Sequence, residues 1–373
     1  MIYRFDDIAI NSTAKKKPVE SDKFHYVGLE HIDSGSFEIT RWGSDVAPVG
    51  EKLIMQKGDV LFGKRRAYQR KVAIAPFDGI FSAHGMVLRP KEDVICKEFF
   101  PFFLSSNQFM DTAIRISVGG LSPTINWKDL QKQEFELPSI EEQRVLADKL
   151  WAAYELKEAY KKMIAATDEM VKSQFIEMFE GIQNDSKWPL KSLEELCDMV
   201  NGYAFKSNKY SDAGYSIIRI ANVQKGTIDD SDKVYYPESY RSEYSDSILK
   251  EGDILVSLTG NVGRVGVIYN KHLPAALNQR VQGLRIKNTS LLNPQYLFSL
   301  LNLDDFENLC IKNASGSAQL NLSTVWLRNC KIVCPPIEKQ EQFALIAQQA
   351  DKSKFELRQA IEKIDKVMKS LLQ

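Results

Sequence analysis

The chain has 373 residues, 44% of them apolar and 26% charged, with 49 basic and 49 acidic side chains and no net charge at pH 7. These proportions exclude wholesale disorder and leave room for two domains of ordinary size. Neutrality argues against a non-specific polyanion binder, although a local basic face can coexist with it.

Residues 1–138 alternate short apolar runs with turn signals, the pattern of a strand-rich domain. Phe24–Ile32 is predicted as a strand. Lys57-Gly58-Asp59 is a turn that leads into a buried strand, Val60-Leu61-Phe62. Val72–Ala75, Phe81 and Gly85–Pro90 supply further strands. Glu98–Asn107 is dense in Phe and Leu and reads as one core helix, with Pro101 tolerated in its first turn. Phe99, Phe100, Phe102 and Phe103 are read as core. A Gly119-Gly120 loop precedes Asn126-Trp127-Lys128, and Glu134–Pro138 is a last strand.

Residues 139–180 form one long helix. Ser139 and Glu142 make a capping box, and no Gly or Pro follows until Gly181. Leu146, Leu150, Ala153, Tyr160, Ile164, Val171 and Met178 recur with a heptad-like period, a seam that requires another helix. Gly181–Ser186 is a polar linker, and residues 181–336 then repeat the order of the first domain. Tyr215–Val223 matches Phe24–Ile32, and Gly252-Asp253-Ile254-Leu255 matches Gly58-Asp59-Val60-Leu61. Pro294–Leu303 takes the place of the Phe-rich helix, and Ser315-Gly316-Ser317 precedes Asn321-Leu322.

Residues 337–373 form the second long helix, with Phe343, Ala347, Ala350, Leu357, Ile361, Ile364, Met368 and Leu371 on a four-three spacing. Ile140-Glu141-Glu142-Gln143 and Ile337-Glu338-Lys339-Gln340 lie 197 residues apart, as do Lys157 and Lys354, which interrupt the two seams. Each lysine either pairs with an acid across the seam or lays its stem along it and reaches water. The matched register indicates a duplicated architecture, with each helix's partner within the same chain.

A Gly-Asp-[Ile/Val]-Leu strand, a Gly-containing loop before Asn-[Leu/Trp], and Ile-Glu-x-Gln opening a long helix, all occurring twice, resemble the specificity subunit of type I restriction-modification systems. The resemblance spans the chain. It implies an α+β fold with two target-recognition domains, 1–138 and 181–336, joined and spaced by two long antiparallel coiled-coil helices, 139–180 and 337–373. It further implies a non-catalytic subunit without cofactor whose halves each read one half of a bipartite site in double-stranded DNA. The implied partners are two DNA methyltransferase (modification) subunits docked on the helices, with restriction/translocase subunits joining through the complex. A coiled-coil interaction scaffold carrying two modules that do not bind DNA is the alternative reading, and the neutral charge is its attraction.

The candidate DNA-binding residues of the first half are Lys64, Arg65, Arg66, Tyr68, Gln69, Arg70 and Lys71, a basic loop after a predicted strand. Guanidinium groups read guanine bidentately, glutamine pairs adenine, and either cation neutralises phosphate. The second half offers a sparser set: Asn261, Arg264, Asn278, Gln279 and Arg280. Gly119, Gly120 and Gly316 read as chain reversals. The lone Pro-Pro, Pro335-Pro336, lacks the polar lead and aromatic of an amino-methyltransferase site, and no phosphate-binding Gly-Lys-Ser/Thr loop occurs. Glu155-Leu156-Lys157 is a chance match to a nuclease pattern inside a helix. Five scattered cysteines (Cys96, Cys197, Cys310, Cys330 and Cys334) and four isolated histidines lack zinc spacing and predict buried free thiols with no metal. The amino terminus lacks a signal-peptide pattern and no apolar run reaches membrane-spanning length, so the expected site is the cytoplasm, away from membranes.

A helix of about 35 residues is about 50 Å long at 1.5 Å per residue, which on this reading sets the gap between half-sites. Removing one heptad from a long helix is expected to change the preferred gap in selected DNA sites. An unchanged gap would refute the ruler.

Overall fold

Ser139 and Glu142 close the first turn of a helix of 40 residues, Ile140–Phe179. The Glu142 carboxylate accepts from the Ser139 amide at 2.9 Å and its hydroxyl at 2.8 Å, while the Glu142 amide donates to Ser139 Oγ at 3.3 Å. These bonds, the backbone one first, hold the Glu142 carboxyl below its usual range. The structure, a computed structural model, describes residues 1–179 and 188–373. The predicted linker Gly181–Ser186 lies outside the described residues. Two units emerge: Met1–Lys161 with Arg358–Gln373, and Lys162–Leu357. Each holds one globular part and a portion of both long helices, the second of which is Ile337–Leu371. Among the described residues no helix is long and apolar enough to cross a membrane.

In the first unit the strands are β1 Ile2–Arg4, β2 Ala9–Ser12, β3 Lys15–Lys16, β4 Tyr26–Val27, β5 Lys52–Met55, β6 Val60–Phe62, β7 Val72–Ile74, β8 Gly79–Phe81, β9 Met86–Pro90 and β10 Glu134–Glu136. They pair as β2-β9-β6-β7, as β3-β5-β8-β4 and as the antiparallel closure β1-β10. Two predictions need correction. Strand Phe24–Ile32 shrinks to Tyr26–Val27, because the Gly28 amide donates to His31 Nδ1 at 2.9 Å and the chain turns into a 3-10 helix, Leu29–His31. A side chain has outcompeted the strand ladder for that donor. Glu98–Asn107 is two helices, Phe100–Ser105 and Asn107–Arg115. Ser106 is extended at the break, and its hydroxyl accepts from the Phe109 amide at 3.2 Å to cap the second helix. Phe99, Phe100, Phe102 and Phe103 are buried with Phe5, Phe62, Phe109 and Phe135.

The second unit repeats the plan with β11 Leu190–Ser192, β12 Cys197–Asn201, β13 Tyr215–Ile218, β14 Val223–Gln224, β15 Thr227–Ile228, β16 Tyr235–Tyr236, β17 Ile254–Ser257, β18 Val265–Val267, β19 Ala275–Leu277, β20 Val281–Ile286 and β21 Lys331–Val333. Its sheet β12-β20-β17-β18 corresponds to β2-β9-β6-β7, and β11-β21 to β1-β10. The predicted strand Tyr215–Val223 is likewise interrupted: Asn222 Oδ1 accepts from the Arg219 amide at 2.9 Å and the chain turns through Ile220–Asn222. The predicted helix Pro294–Leu303 ends at Leu301, and a further helix, Asp304–Asn313, follows.

The Gly-Asp turns have a structural role. Gly58 and Gly252 sit at φ 91° and 86°, a region costly for any other residue. The buried carboxylates that follow, Asp59 and Asp253, grip Arg89 at 2.6 and 2.9 Å and Arg285 at 2.8 and 2.7 Å on the neighbouring strand. Each also accepts an amide of its own turn.

In the first unit, Leu150 and Tyr154 are buried and Leu146, Trp151, Met368 and Leu371 pack on the same core, so the start of one helix meets the end of the other. In the second unit, Phe175 and Phe179 meet Tyr296 and Phe343, with Val171 and Met178 beside them. Both units therefore contain an antiparallel helix pair. Tyr160, Ile164, Leu357, Ile361 and Ile364 are half-buried. The seam lysines pair with acids: Lys157 Nζ lies 2.6 Å from Asp365, and Lys354 Nζ 2.7 Å from Asp168.

Gln143 and Gln340, the last residues of the two Ile-Glu-x-Gln motifs, are 1% and 0% exposed. Gln143 Oε1 accepts from the Cys96 amide at 2.8 Å, and its Nε2 donates to Val94 and Pro138 carbonyls at 3.1 and 3.0 Å. Gln340 does the same to Asn293, Leu291 and Pro335 at 2.8, 3.1 and 2.7 Å. Replacing either glutamine by Ala is expected to lower stability by about 2–3 kcal/mol, since buried backbone groups lose their partners. Chemical denaturation checks this, and a loss below about 0.5 kcal/mol would show that the tie is dispensable.

Candidate nucleic-acid interface

Beyond β6 the chain enters the basic loop through Gly63. Arg66 and Arg70 adopt left-handed backbone, φ 57° and 52°, the only non-glycine residues to do so among the described residues. Neighbouring segments hold this costly conformation in place. The Arg66 amide donates to the Pro123 carbonyl at 2.7 Å, the Ile125 amide to Lys64 at 3.0 Å, and the Arg65 amide to His84 at 3.2 Å. Ala67, buried, anchors the loop to the core. Three segments far apart in sequence, near residues 64–70, 82–85 and 122–126, thus share one end of the sheet.

Positive charge gathers there. His84, though exposed, ionises below its ordinary value, first because neighbouring atoms partly desolvate it and then because of the charges of Arg65, Lys64 and Lys52. Burial and then Lys15 likewise lower Lys64. The Lys52 ammonium donates to the carbonyls of Val49 and Gly50, and Arg65 Nη1 lies 3.4 Å from His84 Nε2. Like charges gathered on one face make it favourable for an anion.

The other basic residues of the loop have different surroundings. Arg66 donates to the Ser122 hydroxyl at 3.2–3.3 Å, Tyr68 is exposed, and Gln69 is half-buried. Arg70 donates to Asn107 Oδ1 at 2.6 Å and lies 3.9 Å from Asp111. Lys71 points inward, its ammonium 2.6 Å from the Leu29 carbonyl. Lys15, Lys52 and His84 belong to the face but stand apart from the basic run; the Lys15-Lys16-Lys17 triplet was the one local signal for them.

The second unit builds the same three-segment junction. The Leu258 amide donates to Arg280 at 2.9 Å, Gly260 to Leu320 at 2.8 Å, and Leu322 to Leu258 at 2.7 Å. Asn261, Gln279 and Arg280 are exposed on it. Asn278 is half-buried and accepts the Arg280 amide at 3.3 Å. Arg264, at the position of Lys71, also turns inward and donates to Gln224 Oε1 at 2.6 Å. The two inward residues brace their loops, and the outward sets differ: cationic in the first unit, largely neutral in the second.

All five cysteines are buried. Burial pushes Cys197 up to about 12, Cys310 to about 12 with help from Cys330 and Glu307, and Cys330 to about 11, so these groups are thiols. Among the described residues no cluster of three or more His, Cys, Asp or Glu side chains could hold a metal ion.

Each half is thus an α+β module that presents a loop junction and is clamped by a buried glutamine to one of two long helices, a duplicated fold. The chain belongs to the type I restriction-modification specificity family: the type I restriction modification DNA specificity domain matches residues 6–165 and again 185–366. It is 26% identical over its whole length to the type I restriction enzyme MjaVIII specificity subunit of Methanocaldococcus jannaschii, covering 90% of that protein. Identity to the EcoKI specificity subunit of Escherichia coli K12 is 22%, over 95% of this chain and 82% of the relative. Its fold is similar to that of a chain from a structural study of type I R-M complex assembly, with TM-score 0.57, 19% identity and coverage of 100% and 96%. It also resembles the S subunit from M. genitalium, with TM-score 0.54, 14% identity and coverage of 100% and 95%.

The electrostatics of the face can be read directly. In the free protein His84 is expected to titrate below its ordinary value, and Lys64→Met to raise its pKa toward that value without reaching it, because partial desolvation and the Arg65 charge persist. NMR titration of the ring protons decides; no movement in the variant would show that the charges are not coupled.

Proposed function

We propose that the two units read the two halves of a bipartite site in duplex DNA through these loop junctions, as the specificity subunit of a type I complex. The globular parts at 1–138 and 181–336 are the recognition modules on this reading, and the helices 139–180 and 337–373 are the spacers. The observation that carries it is the cluster of Lys15, Lys52, Lys64, Arg65 and His84, with Arg65 Nη1 3.4 Å from His84 Nε2 and the Arg65 amide bonded to the His84 carbonyl. It occupies the same place in the fold as the exposed Asn261, Gln279 and Arg280. Cations there neutralise phosphates and fix register, while amide and guanidinium groups address base edges. Because the outward side chains differ, the halves read different sequences and the site is asymmetric.

The helices would dock methyltransferase subunits, and restriction subunits would join through the complex. Methyl transfer and ATP-driven cleavage would then reside on those partners. Within the second unit, the exposed Met163 and Met170, seven residues apart on the central helix, support a helical partner there.

Binding of the chain with its methyltransferase subunits to duplex DNA is expected to weaken steeply with ionic strength. Lys15→Ala, Lys64→Ala and Arg65→Ala should each reduce the log–log salt slope by about 1. A flat salt response in the assembled complex would refute DNA reading and favour a scaffold for other modules.

A further inference from the structure

The first unit leaves β2 into Lys15, one of the charges on its cationic face. The second unit leaves the matching strand, β12, into a segment of different chemistry. Gly202 lies so close to the Asn278 carbonyl that a Cβ there would stand 2.1 Å from it. The Tyr203 amide donates to the Leu277 carbonyl at 2.8 Å, and the Gln279 amide donates to the Tyr203 carbonyl at 3.1 Å. Tyr203 therefore sits directly against the 278–280 loop.

Its hydroxyl donates to Glu243 Oε2 at 2.9 Å. The Glu243 side chain is 41% exposed, and Lys209 Nζ stands 3.6 Å from its Oε1, close enough to pair but beyond a hydrogen bond. The surroundings are stiff. Tyr203 packs on Phe205, which packs on Tyr236 and Tyr244, and Lys209 lies 3.7 Å above the Tyr240 ring. An exposed carboxylate oriented by a phenol whose own main chain abuts the loop assigned above to DNA would repel phosphate. Its favourable use there is as an acceptor for an amino group on a base edge, and carboxylates accept from cytosine N4 in the major groove.

We propose that Glu243 is a specificity-determining residue of the second unit, accepting a hydrogen bond from the N4 amino group of one cytosine in its half-site, with Tyr203 as the positioning residue. This rests on the DNA-reading assignment above. Glu243 Oε1, 3.6 Å from Lys209, would accept from the base, while Oε2 stays with the Tyr203 hydroxyl and Lys209 offsets the charge.

The test is selection of bound sequences from random duplexes by the full chain assembled with its methyltransferase subunits, for the wild type, Glu243→Gln, Glu243→Ala and Tyr203→Phe. The wild type is expected to require cytosine at one position of one half-site. Glu243→Ala should weaken that preference about tenfold, and Glu243→Gln should move it toward adenine, which an amide pairs bidentately. The other half-site stays unchanged. Tyr203→Phe should weaken the same position and no other. Thermal unfolding of Glu243→Gln, which keeps an acceptor for Tyr203, should match the wild type. The inference is overturned if Glu243→Gln and the wild type select the same sequence, or if the variants lower only the melting temperature. A wild-type complex that selects no sequence overturns the DNA-reading assignment itself.

Discussion

Two buried glutamines hold this architecture together. A primary amide offers one acceptor and two N–H donors, and Gln143 and Gln340 use all three on backbone groups of their own modules. One bond reaches back to the proline that precedes the helix, and the others reach the segment leading into the first core helix of the module. Leucine would fill the space but leave three polar groups unpaired. Glutamate would bury a charge and lack the donors. The amide therefore fixes the direction in which each long helix leaves its module, and the Ile-Glu-x-Gln motif acquires a mechanical meaning.

The same logic recurs at the Gly-Asp turns. Glycine permits the left-handed bend, and the buried aspartate that follows clamps an arginine on the next strand while accepting an amide of its own turn. A bidentate carboxylate–guanidinium pair of this kind fixes strand register as well as adding energy. On the helices, Lys157–Asp365 and Lys354–Asp168 are related by one shift of 197 residues in both partners. The duplication thus extends to individual ion pairs, each wholly within one unit.

The sequence carried the elements whose signals are local and periodic: both long helices, the Ser139 cap, the two Gly-Asp strands and the aromatic core residues. It was silent where a single side chain redirects the backbone. His31 and Asn222 each take an amide three residues back and convert expected strand into turn, and Ser106 ends one helix while capping another. Apolar spacing is the same with or without such a bond, so periodicity cannot reveal it. The closure of Ile2–Arg4 on Glu134–Glu136 joins segments about as distant as the module allows, and no local pattern records it. The face shows the same limit. The run from Lys64 to Lys71 was visible, but which of its cations point outward was not: Lys71 braces the loop, and the outward charge is shared with Lys15, Lys52 and His84.

These facts separate scaffold from surface. In both modules the loop junction is held by main-chain hydrogen bonds, Ile125 to Lys64 in one and Leu322 to Leu258 in the other. Such bonds do not depend on which side chains point outward. The buried Gln and Asp side chains, and the half-buried Arg partners, that do depend on identity lie elsewhere in each module. One module can therefore present a crowd of cations and the other a tyrosine-braced carboxylate without a change of fold. A framework stabilised from behind its loops leaves the residues at the front free to differ, and it is there that the two halves of this chain have diverged.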